Sequence, residues 1–163
     1  MINFSGISRN SLIGRLLRRA LRIIPRGTIV PILQGGLRGK RWIIGSSNEG
    51  CSLGSYEFHK RRIFERTIRP GSAVFDIGAH VGFYTLLSSV IVGPGGRVFA
   101  FEPLTVNFEY LRRHLELNSV TNATGLPVGV WRTGGVTRFR QGNSSLTGRF
   151  AMDGDVEVQG CGH

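Results

Sequence analysis

One stretch, Ala73 to Pro103, restricts this 163-residue chain more than any other. It reads A-V-F-D-I-G-A-H-V-G-F-Y-T-L-L-S-S-V-I-V-G-P-G-G-R-V-F-A-F-E-P. Ala73 to Ile77 is a short apolar run containing Asp76 and lacking helical spacing, so it predicts a buried strand. Phe83 to Val92 is apolar and long enough for a helix, and the Gly93-Pro94-Gly95-Gly96 cluster must end it. Arg97 to Phe101 then predicts a second buried strand, closing on Glu102 and stopped by Pro103. The unit is strand–helix–strand, with Gly78 and Gly82 at its first turn and a carboxylate at the tip of its second strand.

That arrangement suits an adenosine-type cofactor. Glycines at a strand-to-helix turn let backbone N–H groups approach a ligand that a Cβ would exclude. An acidic side chain at the end of the next strand can accept hydrogen bonds from both ribose hydroxyls. Glu102 follows Gly78 by 24 positions, close to the ~20 of the nucleotide-binding fingerprint. The spacing, however, is Gly78-x-x-x-Gly82, with His80 where a dinucleotide fold places the glycine that admits a pyrophosphate. Together with Asp76 inside the turn, this argues against a dinucleotide and so against a nicotinamide-dependent oxidoreductase. It favours a positively charged ligand without phosphates. S-adenosylmethionine fits, with its adenosine, its sulfonium and an ammonium that wants a carboxylate. The plain alternative is a Rossmann-like unit with ordinary turn glycines.

The run Asp76-Ile77-Gly78-Ala79-His80-Val81-Gly82-Phe83-Tyr84-Thr85, followed by Phe101-Glu102-Pro103, resembles the FkbM-type family of S-adenosylmethionine-dependent methyltransferases. Upstream, Gly50-Cys51-Ser52-Leu53-Gly54-Ser55-Tyr56-Glu57 is similar to the segment that precedes the family's first motif. Downstream, Glu116-Leu117-Asn118 is similar to the end of its second helix. The resemblance runs from about Trp42 to Val130. It implies an α/β fold with a Rossmann-like class I methyltransferase sheet and S-adenosylmethionine as cofactor. It implies a site made of Asp76, Gly78, Ala79, His80, Gly82 and Glu102, with Tyr56 and Glu57 at the pocket edge. Asp76 would orient the turn and the methionine ammonium, Gly78 and Gly82 would let the tail approach, and Glu102 would hold the ribose. No catalytic base is assigned, and His80 is kept as a cofactor-loop residue. Val130-Trp131-Arg132 stands where the family often has a small polar or acidic residue near the adenine.

Forty per cent apolar residues and 24 glycines suit one loop-rich α/β domain. The two cysteines, Cys51 and Cys161, form no C-x-x-C pattern and accompany no secretory signal, which predicts reduced thiols in a cytoplasmic protein. The four histidines fall at no ligand spacing, so no metal is expected. No apolar run reaches the ~20 residues needed to span a bilayer. The net charge of +11 is unevenly spread: residues 1–48 hold nine basic side chains and no acid, whereas the rest carries twelve basic and ten acidic. The basic character therefore belongs to an N-terminal arm, residues 1–41, ahead of a domain over residues 42–163. With the basic residues away from the glycine turn, no specific nucleic acid is expected as a partner.

Within the arm, Leu12, Leu16, Ala20 and Ile23, with Ile13, Leu17, Leu21 and Ile24, form one face of a helix over residues 11–24. Arg15, Arg18, Arg19 and Arg22 form the other face, and Pro25 ends the helix. Three readings stand for it: an accessory helix on the domain, a helix lying at an anionic membrane surface, or a polyanion-binding element. Arg26 to Lys40 reads as connector, Arg41 to Gly45 as a short strand and Gly50 to Gly54 as a turn-rich loop. Tyr56 to Thr67 has helical spacing, with Tyr56, Ile63 and Thr67 inward and Lys60, Arg61 and Arg62 outward. After Glu102, Thr105 caps a helix that runs to Asn118 and carries Phe108, Leu111 and Leu115 on its apolar face. A third strand is predicted over Ala123–Val130, a hairpin strand over Val136–Arg140, a polar loop from Gln141 to Gly148 and a short strand over Val156–Val158.

A class I sheet needs about seven strands, and the family's next motif, a strand ending in an acidic residue before a glycine turn, has no match after Val158. The chain is therefore expected to be the N-terminal, cofactor-binding portion of such a domain, as a fragment, a frameshifted reading frame or a truncated homologue. The function expected is methyl transfer to a hydroxyl of a small molecule, sugar or lipid-linked glycan. The alternative is a non-catalytic remnant that binds membrane or polyanion through its basic helix.

Overall fold

The computed structural model describes residues 19, 23–132, 135–141, 148–150 and 156–161. The helix read over residues 11–24 lies almost wholly outside them. The chain divides into two compact units, Met1–Arg69 and Pro70–His163. Among the described residues no helix is long and apolar enough to cross a membrane.

In the first unit, β1 (Ile29–Pro31) pairs antiparallel with β2 (Arg41–Ile43), Val30 facing Trp42. The stretch read as connector thus contains a strand, and the expected boundary between residues 41 and 42 falls inside a hairpin. Gly35 and Gly39, both with φ above +80°, turn the chain back between the two strands. Helix α1 (Glu49–Leu53) replaces the loop expected there. Its start is capped by the Asn48 side chain, which accepts the Gly50 N–H at 3.0 Å, and Gly54 ends it in the left-handed region. Helix α2 (Phe58–Thr67) begins two residues later than Tyr56, because Glu57 takes a left-handed φ of 41°. Its faces differ from those expected: Ile63 is 68% exposed, Thr67 is exposed and Arg61 is buried. The Arg61 guanidinium lies on the Gly54 carbonyl and the Glu65 carboxylate, and such pairing is what lets an arginine leave water.

In the second unit, β3 (Ala73–Ile77), β4 (Arg97–Phe101) and β5 (Ala123–Leu126) form a parallel sheet in that order. Helices α3 (Phe83–Val92) and α4 (Thr105–Leu117) make the two crossovers. Both crossovers step in the same direction, so right-handedness puts both helices on one face. That face is the core: Val98, Ala100, Leu86, Leu87 and Leu111 are all but inaccessible to water. The strands were expected to be buried, but among the described residues the other face of the sheet is only partly so. Phe75 and Ile77 are each 63% exposed, and Phe75 stacks on Phe99 and Phe101 with ring centroids 5.4 and 6.4 Å apart. Alternation along β3 sends Asp76 to the helix side and its neighbours to the open side.

Two further expectations change. Leu104, not Thr105, occupies the cap position of α4, and no side chain of its own caps the helix. The third strand stops at Leu126, since Pro127 has no N–H for the ladder, and the chain resumes as β6 (Gly129–Val130) in another sheet. That second sheet runs β6-β9-β7-β8, with β7 (Gly135–Gln141), β8 (Gly148–Phe150) and β9 (Val156–Cys161). Strand β6 lies parallel to β9, while β7 is antiparallel to both β8 and β9. Most of the polar loop read over Gln141–Gly148 lies outside the described residues.

Candidate functional site

The carboxyl ends of β3, β4 and β5 meet at one edge of the parallel sheet, the place where open α/β sheets take ligands. Past Ile77 the backbone enters the left-handed region three times in five residues, at Gly78 (φ 76°), His80 (φ 52°) and Gly82 (φ 87°). This tight turn is pinned from below. The N–H groups of Gly78 and Ala79 donate to the Phe101 carbonyl at 2.9 and 3.0 Å, and Gly82 N–H donates to Ala79 O at 2.9 Å. It is also pinned by a side chain: Glu102 Oε2 accepts the His80 N–H at 2.8 Å.

Glu102 is 4% exposed. Its other oxygen, Oε1, accepts the Leu104 N–H at 3.0 Å and Asn107 Nδ2 at 3.2 Å. Its own N–H donates to Leu126 O at 3.1 Å, so one residue ties the ends of β4 and β5 to the glycine turn and to the start of α4. Burial pushes the Glu102 carboxyl above its ordinary value. The three donated hydrogen bonds pull it back, and the charge of Asp76 pushes it up again.

Asp76 points to the helix face, where Thr85 Oγ1 donates to its Oδ2 at 2.5 Å. Burial also raises the Asp76 carboxyl, against the Thr85 hydrogen bond. Burial lowers the His80 imidazole, which favours its neutral form. The two glycines differ in purpose. A Cβ on Gly78 would meet nothing within 4 Å, whereas one on Gly82 would lie 3.1 Å from Leu111 Cγ and 3.4 Å from Leu111 Cα. Gly78 therefore keeps open space beside the turn, and Gly82 lets α4 pack closely.

The structure brings Asp76, Gly78, Ala79, His80, Gly82 and Glu102 together in the second unit. Tyr56 and Glu57 belong to the first unit, at the entry to α2. There Glu57 Oε1 accepts from Lys60 at 2.8 Å, and burial with the neighbouring Glu57 charge pushes the Tyr56 hydroxyl up to about 12.

Three residues of the site were not anticipated: Thr85, Asn107 and His114. All are polar side chains at core-facing positions, Thr85 on the apolar α3 and Asn107 and His114 on the inner face of the amphipathic α4, which is the signal that would have found them. His114 is inaccessible to water, and its Nδ1 lies 2.8 Å from Val81 O in the glycine turn. A carbonyl only accepts, so Nδ1 carries the proton. Burial pushes the imidazole down to about 4, the Val81 bond opposing and Arg113 assisting. The folded value lies below the unfolded one of 6.5, so the unfolded chain takes up its proton first as acid is added. His114 should thus withdraw roughly 3 kcal/mol of stability as pH falls from about 6.5 to 4. Asp76 and Glu102, raised in the fold, act in the opposite sense. The test is denaturant unfolding across that range: His114→Gln, a neutral donor, is expected to lack the loss shown by the parent chain.

A model of the methyltransferase FkbM domain family matches residues 76–159, just over half of the chain. The chain belongs to this family. Over 76 residues, at 47% identity, the FkbM-domain chain matches 31-O-demethyl-FK506 methyltransferase FkbM of Streptomyces tacrolimicus, covering 42% of this chain and 29% of that protein. It is 38% identical over 61 residues to protein-L-isoaspartate O-methyltransferase of Aeropyrum pernix, covering 37% of this chain and 24% of that one. It thus spans under a third of the length of either relative. Among solved structures, TYW2 of P. horikoshii in complex with MeSAdo overlays 66% of this chain and 38% of its own, at 16% identity and a TM-score of 0.46. The parallel α/β order and the glycine turn are those of the Rossmann-like sheet expected for this family, whose cofactor is S-adenosylmethionine.

Proposed function

We propose that this chain carries the S-adenosylmethionine-binding part of an enzyme that methylates a hydroxyl oxygen on a small molecule, sugar or glycolipid. One observation carries the reading: the buried Glu102 carboxylate is held on the N–H of His80, at the turn where Gly78 leaves open space. The donor set suits such a cofactor. Gly78 admits a close backbone approach, Glu102 offers an acceptor for a ribose hydroxyl, and Asp76 offers negative charge for an ammonium. Both carboxylates are largely withdrawn from water, where their attraction for a cation is strengthened.

S-adenosylmethionine, when bound, supplies an electrophilic methyl group on a positively charged sulfur. The chain's task is then to hold and align. Both curated relatives are named for transfer to oxygen, which supports an oxygen acceptor here. Calorimetric titration with S-adenosylhomocysteine, with NAD as control, tests the reading. Heat from the first alone is expected; heat from NAD alone would overturn it.

A further inference from the structure

We infer that Thr85 is a positioning residue for the cofactor's ammonium group: its hydroxyl fixes the plane of the Asp76 carboxylate that receives that charge. The inference rests on the cofactor reading above and deepens it. The Asp76 backbone is set in the parallel ladder, opposite Ala100 of β4. The terminal torsion of an aspartate is broad, however, and gives the carboxylate little orientation of its own. Thr85 Oγ1 supplies one by donating to Oδ2 at 2.5 Å. Among the described residues Thr85 is the one hydrogen-bond partner of this carboxylate, and Asp76 is only partly buried. Oδ1 is thus left for a ligand.

The bond is not the one a helical hydroxyl makes by default. A serine or threonine inside a helix usually turns back to the carbonyl three or four residues earlier. Ser89 does so on the same helix, donating to Leu86 O at 2.8 Å, and Thr67 does so on α2, donating to Ile63 O at 2.9 Å. Thr85 reaches nine positions back, to the strand before the glycine turn, while the Val81 carbonyl takes the His114 imidazole. Thr85 is inaccessible to water, so packing sets its rotamer and its one hydroxyl proton is committed to Asp76. Burial raises the Asp76 carboxyl and the Thr85 bond lowers it, favouring the charged form; Glu102 is the like charge that Asp76 acts on from β3. A carboxylate already ionised and oriented binds a cation more tightly than one the ligand must first order.

Calorimetry on the 163-residue chain tests this without methyl transfer. It compares S-adenosylhomocysteine with its desamino analogue, which keeps the adenosine, the thioether and the carboxylate but carries no ammonium. Thr85→Val keeps the shape and drops the hydroxyl. It is expected to weaken S-adenosylhomocysteine about tenfold, on the scale of a hydrogen bond to a charged group, and the analogue by less than about twofold. Thr85→Ser keeps the hydroxyl and drops a methyl group. It should lose stability through the cavity left behind and yet restore the preference for the ligand with the ammonium. Made on an Asp76→Asn chain, Thr85→Val should weaken S-adenosylhomocysteine by less than about twofold more, since both changes act through one contact. Equal weakening of both ligands, or additive losses in the double variant, would overturn the inference and leave Thr85 a packing role.

If the valine variant fails to fold, NMR of the parent chain decides. The Thr85 hydroxyl proton should exchange slowly in the free chain and remain slow when S-adenosylhomocysteine binds. The Asp76 carboxyl carbon should shift with S-adenosylhomocysteine and stay in place with the desamino analogue. A hydroxyl proton lost to fast exchange, or an Asp76 carboxyl that answers both ligands alike, would overturn the inference. A folded parent chain that binds neither ligand removes the cofactor reading and the inference together, whereas equal losses in the variants remove the inference alone.

Discussion

Replacing Glu102 by alanine is expected to abolish measurable S-adenosylhomocysteine binding and to cost the fold about 3 kcal/mol, the scale of stranding donors inside a protein. The carboxylate accepts from His80, Leu104 and Asn107 and is 4% exposed. Its removal leaves two backbone N–H groups and one amide without the acceptor they face. The left-handed His80, a conformation that disfavours a residue with a Cβ, loses the hydrogen bond that offsets its strain. Glu102→Gln should do little better, because its amide nitrogen would confront donors that expect an oxygen. Denaturant unfolding reads the stability loss and calorimetry the affinity loss. A variant as stable as the parent would mean that the carboxylate does not organise the turn.

The second large effect separates the two glycines of the turn. Gly82→Ala must hold a left-handed φ of 87° with a methyl group 3.1 Å from Leu111 Cγ and 3.4 Å from Leu111 Cα. Left-handed strain and overpacking together should cost about 3 kcal/mol. Gly78→Ala meets nothing within 4 Å at a φ of 76°, so only the strain remains, about 1 kcal/mol. Its effect should fall on binding instead, since the new methyl group occupies space beside the turn. Thermal unfolding and S-adenosylhomocysteine titration of the two variants should therefore rank them in opposite orders. The same ranking in both would show that both glycines serve packing alone.

The central unit was readable almost to the residue because its punctuation is local. Gly78, the Gly93–Gly96 cluster and Pro103 bound Ala73–Ile77, Phe83–Val92 and Arg97–Phe101, and each acts through its own backbone. Asp76 and Glu102 could be picked out because strand ends on a parallel sheet converge.

What escaped depends on contacts distant in sequence or on a single dihedral. The phase of α2 turns on the φ of Glu57, and the burial of Arg61 on the Gly54 carbonyl and Glu65. Helix α1 hangs on the Asn48 cap. The packing duty of Gly82 appears only once Leu111 is set against it. The part played by Asn107 is hidden because helical periodicity marks a position as core-facing without saying which partner awaits it there. The strand read across Pro127 is a plainer miss, since a proline inside a strand pattern argues for a break.

The most direct test is an amide NMR titration of the uniformly labelled 163-residue chain with S-adenosylhomocysteine. Saturable shifts confined to residues 76–82, Glu102, Leu104 and the end of β5 near Leu126, and absent with NAD, are the predicted result. Shifts that avoid this edge of the sheet, or no saturable shift in a spectrum of the folded chain, would contradict the cofactor site.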